Sequence, residues 1–392
     1  MKTINWNLIV IVLLGFVCNT KLMAQSVPYK IAVFAPVYLD SAFDGNDVKP
    51  GNTLSKNILP GLDFYNGVML AVDSLQNEGI QAEVYFYDLK NAGLPLHTIL
   101  EQEPMQQVSL IIAAFNNIAD IKTLAGFAAE KKIPLISSTL PNNGGVSGNP
   151  YFTVINPTLK THCEELYKYL QRNFSTNTIL FFKRKGAVEN WILSAFSDIA
   201  RNTPSLPLKM KTIELSDTFT VNQALQYLDS TRKNILICGS LNENFSIRLV
   251  KSVSLAAGYY NTTIVGMPNW DALRDLDKSD CKAVDIIYTT PYNFNRNDKT
   301  IIAVTNKYRT LLNGRPGDMV FKGYESMYHF TKLLEEHGKE MNYYLSEKKF
   351  KLFNDFDIRP VINKTNRLQT DYLENRKLYF IKKNSGQIKS IS

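Results

Sequence analysis

The sequence predicts an α/β protein of two lobes, each a doubly wound parallel sheet. Three observations carry that expectation. Short, near-continuous apolar runs alternate with longer stretches whose apolar residues recur at three- to four-residue spacing. The alternation starts twice, and 392 residues exceed the ~100 to 200 of one typical domain. Apolar strands between amphipathic helices form parallel sheets covered on both faces. With 45% hydrophobic and 20% charged residues, the chain can bury a sizeable core.

The first series places strands over 31–35, 82–87, 109–113 and 134–137, with helices over 62–76 and 118–131. Phe64, Val68, Leu70, Ala71 and Leu75 mark one apolar face of the first helix. The second series places strands over 178–182, 234–238 and 263–266, with helices over 160–172, 189–201, 221–228 and 243–257. A further strand over 284–288 leads to helices over 301–312 and 323–336, and after about Leu352 the sequence becomes short strands and turns. No fixed-period repeat is visible, which excludes a solenoid.

Residues 1–24 form a separate unit. Lys2, the apolar run from Leu8 to Val17 and the Met23-Ala24-Gln25 site give the pattern of a secretory signal peptide, too short to span a bilayer. An exported, periplasmic chain is expected, with lipid anchoring at Cys18 as the rival reading. Cleavage leaves Cys163, Cys238 and Cys281, which have no close spacing and make neither a disulfide framework nor a zinc knuckle. Cys238 ends an apolar strand and is expected in the core. A bridge between Cys163 and Cys281 stays open. The formal charge is +8, of which Lys2 and Lys21 supply two. The densest basic site, Lys183-Arg184-Lys185, is either a solvated strand end or an attraction for an acidic ligand. No motif points to nucleic acid.

Several segments, in this order, resemble one family: KIAVFAP, FYNGVMLAVDSLQNEG, a strand ending in YFYD, IPLISSTLP, YFTVINPT, GMPNW after TTIV, IIYTTPYNF and FKGYESMYHF. Together they resemble the type I periplasmic binding proteins, in the branch that takes branched-chain amino acids, over roughly 28–391. The resemblance implies two lobes joined by three crossings, near 151–157, 286–291 and 338–354. One lobe would hold 28–154 plus 288–338, the other 155–287 plus 339–392. It also implies a small-molecule ligand, an inner-membrane ABC transporter as partner, and neither cofactor nor catalysis.

In such relatives, the loops after the third and fourth strands grip the ligand's carboxylate and amino group. Here these loops are Ala114-Phe115-Asn116-Asn117 and Ser137-Ser138-Thr139. The second matches the pattern, and its hydroxyls and N–H groups can cap an anion. The first carries Ala and Asn where Gly and Ser are usual. On the second lobe, Gly186-Ala187-Val188 replaces an aromatic residue, and Met267-Pro268-Asn269-Trp270 replaces the acid that binds the amino group. The loss of that acid is worth roughly 1.5 to 3 kcal/mol for an amino-acid ligand. Asn269, Trp270, Tyr292 and Phe294 are expected to line the cleft of a larger or less charged ligand. Trp270 has the alternative of covering the following helix, and Asn116 that of capping the helix near Ile118. Tyr324 and Glu325 are expected to pack structurally.

Other chemistry is excluded by spacing. His97, His162, His329 and His337 are scattered. Gly145-Val146-Ser147-Gly148 lacks the nucleophile-elbow pattern, and no phosphate-binding glycine loop follows the first strand. Asp275, Asp277 and Asp280 lack the glycine and glutamate of a calcium loop. The functional expectation is capture of a small polar or amphipathic solute. The alternative is an envelope regulator or scaffold that uses a degenerate cleft for protein contacts.

Overall fold

Residues 28–391, apart from 46, 50–55, 294 and 296, are described by the computed structural model. The segment expected to be a signal peptide, with Cys18, and Phe294 lie outside the described residues.

Apolar runs form the strands because each can be buried on both faces. In chain order, the first lobe contains β1 (Tyr29–Ala35), α1 (Leu39–Ala42), the small hairpin β2 (Phe43–Asp44) and β3 (Asp47–Val48), then α2 (Leu59–Asn77) and β4 (Ala82–Asp88). Short helices α3 (Leu96–Glu101) and α4 (Glu103–Gln107) lead to β5 (Leu110–Ala113), α5 (Ile118–Lys131), β6 (Leu135–Ser137) and β7 (Phe152–Val154). The second lobe continues with α6 (Leu159–Phe174), β8 (Thr178–Lys183), α7 (Ala187–Asn202), β9 (Lys209–Glu214) and α8 (Val221–Leu225). Then come β10 (Asn234–Cys238), α9 (Glu243–Leu255), β11 (Thr262–Val265) and β12 (Asp285–Thr290). After α10 (Lys299–Leu312) and α11 (Asp318–His337), the chain closes with β13 (Ile358–Ile362), β14 (Thr370–Asn375), β15 (Tyr379–Asn384) and β16 (Gln387–Ile391).

The two seven-stranded sheets have one plan. Their orders are β13-β14-β7-β6-β5-β1-β4 and β16-β15-β12-β11-β10-β8-β9. Read strand for strand, β1 answers to β8, β5 to β10 and β6 to β11. The core strands pair in parallel, and each sheet ends in an antiparallel hairpin supplied by the C-terminal chain. Alternate residues of a strand enter opposite cores. Ile31, Val33 and Ala35 of β1 pack with α2 and α11, while Ala32 and Phe34 pack with α5.

The expected lobe boundary near residue 338 needs correction. Met341, Leu345, Phe353 and Phe356 belong to the first lobe's core. β14 then pairs with β7, Leu373 opposite Thr153, so β13 and β14 extend the first sheet. The third crossing is the step from Asn375 to Tyr379. Polar, half-exposed edge strands like these have no continuous apolar run to announce which sheet they join. β9 lacks a sequence signal for the same reason.

All three described cysteines are buried and free, which closes the question of a Cys163–Cys281 bridge. Cys163 lies in the core on one side of the second sheet and Cys281 in the core on the other. Among the described residues, no helix is long and apolar enough to cross a membrane, and no group of three or more His, Cys, Asp or Glu could hold a metal.

Candidate functional site

Strand order reverses across β1 in the first sheet and across β8 in the second, and ligands of open parallel sheets bind beyond strand carboxyl ends at such points. In the first lobe the flanking loops follow β1 and β5. Asp88, at the end of β4, fixes the first of them: its carboxylate accepts hydrogen bonds from Val37 N (2.8 Å), Leu39 N (2.8 Å) and Lys90 N (2.9 Å). Tyr38, between two of those anchors, is held in the left-handed region at φ 57°. A non-glycine residue takes that conformation at a cost, and the Asp88 clamp over-determines it. Its hydroxyl accepts a hydrogen bond from Asn116 Nδ2 (2.9 Å), joining the two loops across the switch point.

Asn116 therefore faces the cleft loops rather than the helix. The cap of α5 is Asn117, whose Oδ1 accepts from Asp120 N (2.9 Å) and whose amide donates to the Asp120 carboxylate. The capping alternative considered for Asn116 thus falls to its neighbour Asn117.

Ser137 is the last residue of β6, and Ser138 and Thr139 follow it. Thr139 Oγ1 donates to Phe115 O (3.0 Å), and Asn156 Nδ2 donates to Thr139 O (2.6 Å), which pins the loop to its neighbour and to the first crossing. The Ser137 and Ser138 hydroxyls are buried without a hydrogen-bond partner. Buried polar groups are almost always paired, so two in succession mark this loop as unusual. Tyr292, just past β12 in the second crossing, reaches Ser138 O with its hydroxyl at 3.4 Å, a long contact.

On the second lobe, Asn269 Nδ2 donates to Leu241 O (3.0 Å), tying the loop after β11 to the loop after β10, while its Oδ1 is buried without a partner. At the switch point, Ser240 Oγ donates to Glu189 Oε1 (2.7 Å). Two residues of the basic run at the end of β8 are paired locally. Lys183 pairs with Glu214, and Arg184 makes a two-pronged contact with Asp217 at 2.7 and 2.8 Å. Lys183 is buried, and both ion pairs lie within the second lobe.

Trp270 does not wall the cleft. It is fully buried in the second lobe's core, its indole lying against Gly266, where an added Cβ would come within 2.0 Å of the ring. The glycine makes room for the ring, and apolar burial decides its direction. The next residue, Asp271, was not anticipated. Its carboxylate accepts from Thr290 Oγ1 (2.9 Å), and burial raises its pKa, with Lys322 of α11 opposing the rise and Asp318 adding to it. Asp271 is on the second lobe and the other two are on the first. Asp271, Lys322 and Tyr38 lacked a usable signal, because each joins the site only through contacts between distant segments.

Among the cavities of the described residues, one of about 140 Å³ lies at the other end of the second sheet, between Val284, Ile286, Lys383 and Ile388. It borders strand starts, away from the switch points, and the polar loops are the better candidate.

Two parallel-sheet lobes with matching switch points and three crossings make the fold that of the type I periplasmic binding proteins. No protein-family model matches the sequence, and no curated protein matches it. Solved structures do. A Rhodospirillum rubrum protein described as a branched-chain amino acid ABC transporter is 11% identical with a TM-score of 0.65, covering 93% of this chain and 100% of its own. An ABC transporter substrate-binding protein from Desulfitobacterium hafniense, solved in complex with Leu, is 12% identical with a TM-score of 0.55, covering 93% and 99%. A solute-binding protein of an R. palustris ABC transporter, solved in complex with benzoate, is 13% identical with a TM-score of 0.50, covering 93% and 96%. At such identities the likeness is one of fold.

Proposed function

We propose that this chain is an exported solute-binding protein that captures a small organic molecule between its lobes and delivers it to an ABC transporter. The observation that carries this reading is that buried polar atoms at the strand ends lack partners on both lobes, Ser137 Oγ and Ser138 Oγ on one and Asn269 Oδ1 on the other. A buried hydroxyl or amide without a partner costs roughly 1 to 3 kcal/mol, and a ligand that supplies the missing hydrogen bonds removes the cost. The solved proteins of this fold bound to Leu and to benzoate show it accommodating both an amino acid and an aromatic acid. Closure would be driven by contacts that a ligand makes with both lobes at once, which shift an open–closed equilibrium by differential affinity.

The test is a metabolite library screened by thermal stabilisation, with small-angle scattering on each hit. At least one compound is expected to raise the melting temperature and reduce the radius of gyration. Stabilisation without compaction would sink the closure mechanism. Absence of any hit, together with co-purification of an envelope protein, would favour the scaffold reading.

A further inference from the structure

Three segments far apart in the sequence meet through one side-chain amide. Glu325 lies in the second turn of α11 and is buried in the first lobe. Its Oε1 accepts from Phe353 N (3.0 Å) and Asn354 N (2.8 Å), and its Oε2 accepts from Asn354 Nδ2 (2.6 Å). The other end of that amide, Asn354 Oδ1, accepts from Asn293 N (2.7 Å), just beyond β12 in the second crossing. The Asn354 side chain thus ties a crossing to the interior of the first lobe.

Its orientation follows from its two neighbours. A backbone N–H can only donate, so Asn293 faces the amide oxygen; an ionised carboxylate can only accept, so Glu325 faces the NH2 group. Every group hydrogen-bonded to Glu325 is a donor, which suits the charged form. A proton on Oε2 needs an acceptor instead. Turning the Asn354 amide over supplies one in Oδ1, and sets Nδ2 against the Asn293 N–H, donor to donor. The bond to the crossing is then lost.

Both forms lie within reach near neutrality, because burial raises the Glu325 pKa to about 7 against the pull of its donors. Of the groups around it, Lys351 favours the charged form but is itself paired with Asp355 at 2.9 Å. Tyr292, in the second crossing, and Tyr379, at the start of β15, have their pKa values raised by burial and stay neutral. His329, one turn further along α11, has its pKa lowered by burial and stays neutral too.

We propose that Glu325 and Asn354 form a proton-operated latch: with Glu325 ionised the second crossing is bonded to the first lobe, and with Glu325 protonated it is released. The latch operates whichever solute the cleft takes, and does not rest on the solute-binding reading.

The experiment is hydrogen exchange at the Asn293 amide, read by NMR on the isotope-labelled chain and corrected for the intrinsic pH dependence of exchange. In wild-type protein, protection of this amide is expected to rise roughly 10-fold from pH 5 to pH 8. The contribution of Glu325 to global stability falls over the same window, so a general change in stability cannot imitate that rise. In E325Q the new amide can donate to a turned-over Asn354 as a protonated carboxyl does, and protection should stay low at both pH values. The wild-type titration needs no variant: the Asn293 amide shift should follow the titration of the Glu325 carboxyl carbon. Equal protection at pH 5 and pH 8 in wild type would overturn the proposal. So would full protection in E325Q, or an Asn293 shift that titrates apart from the Glu325 carboxyl.

Discussion

Glu325 shows what one buried residue can impose. Its carboxylate accepts from Phe353 N (3.0 Å), Asn354 N (2.8 Å) and Asn354 Nδ2 (2.6 Å), and Asn354 Oδ1 accepts from Asn293 N (2.7 Å) in the second crossing. Burial outweighs these bonds and pushes its pKa up to about 7. A carboxyl whose pKa is raised on folding binds its proton more tightly in the native state. Its contribution is therefore complete below the unfolded value near 4.5 and is lost as pH rises towards 7. The wild-type melting temperature should fall between pH 5 and pH 8 relative to that of Glu325→Gln. Parallel profiles for the two proteins would show that Glu325 does not titrate in this window. The structural role expected for Glu325 thus holds, with a coupling to the hinge that the sequence did not show.

At the scale of elements, the packing of α2 on α11 is the clearest case. An added Cβ at Gly67 would lie 2.0 Å from Val320 O, and one at Gly323 would lie 2.2 Å from Phe64 O. Each glycine lets the partner helix's backbone approach, so the two helices meet at main-chain distance, Tyr324 Oη bonding Ser74 Oγ nearby (3.1 Å). Gly323→Ala should lower stability by roughly 1 to 3 kcal/mol, because backbone cannot move aside as a side chain can. Chemical denaturation would check this, and a loss below about 0.5 kcal/mol would show that the helices can separate freely. This contact also sets the position of Lys322, since it fixes the rotation of α11 about its axis.

For the whole molecule, the crossings are the elements that join the two lobes. Glu374 Oε1 accepts from Thr158 N, Thr158 Oγ1 and Thr161 Oγ1, each at 2.8 Å, and so clamps the end of the first sheet to the start of α6. Arg376 adds bonds to Thr161 Oγ1 (2.7 Å) and Glu164 Oε2 (2.8 Å), and His162 Nδ1 meets Thr289 Oγ1 (2.8 Å) across to β12. His162 is fully enclosed, and burial holds its pKa down at about 3, so it stays neutral here. The clamp joins crossings one and three. Glu374→Ala strands three donors and should cost about 3 kcal/mol, with a broader distribution of radii in scattering. An unchanged melting temperature and scattering profile would mean that the crossings do not depend on it.

Sequence alone determined the class of fold and the placement of its central strands. α5 and β10 begin and end where the apolar pattern said, at Ile118–Lys131 and Asn234–Cys238. Periodicity is a local property, and burial on both faces of a strand leaves a local trace. The hydroxyl run Ser137-Ser138-Thr139 was visible at the end of an apolar run, and the fold places it at the carboxyl end of β6. Tertiary structure decided the rest. It put β13 and β14 in the first sheet, drew Trp270 into a core, and brought Asp271, Lys322 and Tyr292 to one place from three distant segments. Those outcomes depend on which surfaces of remote elements meet, and no spacing within a single segment records that.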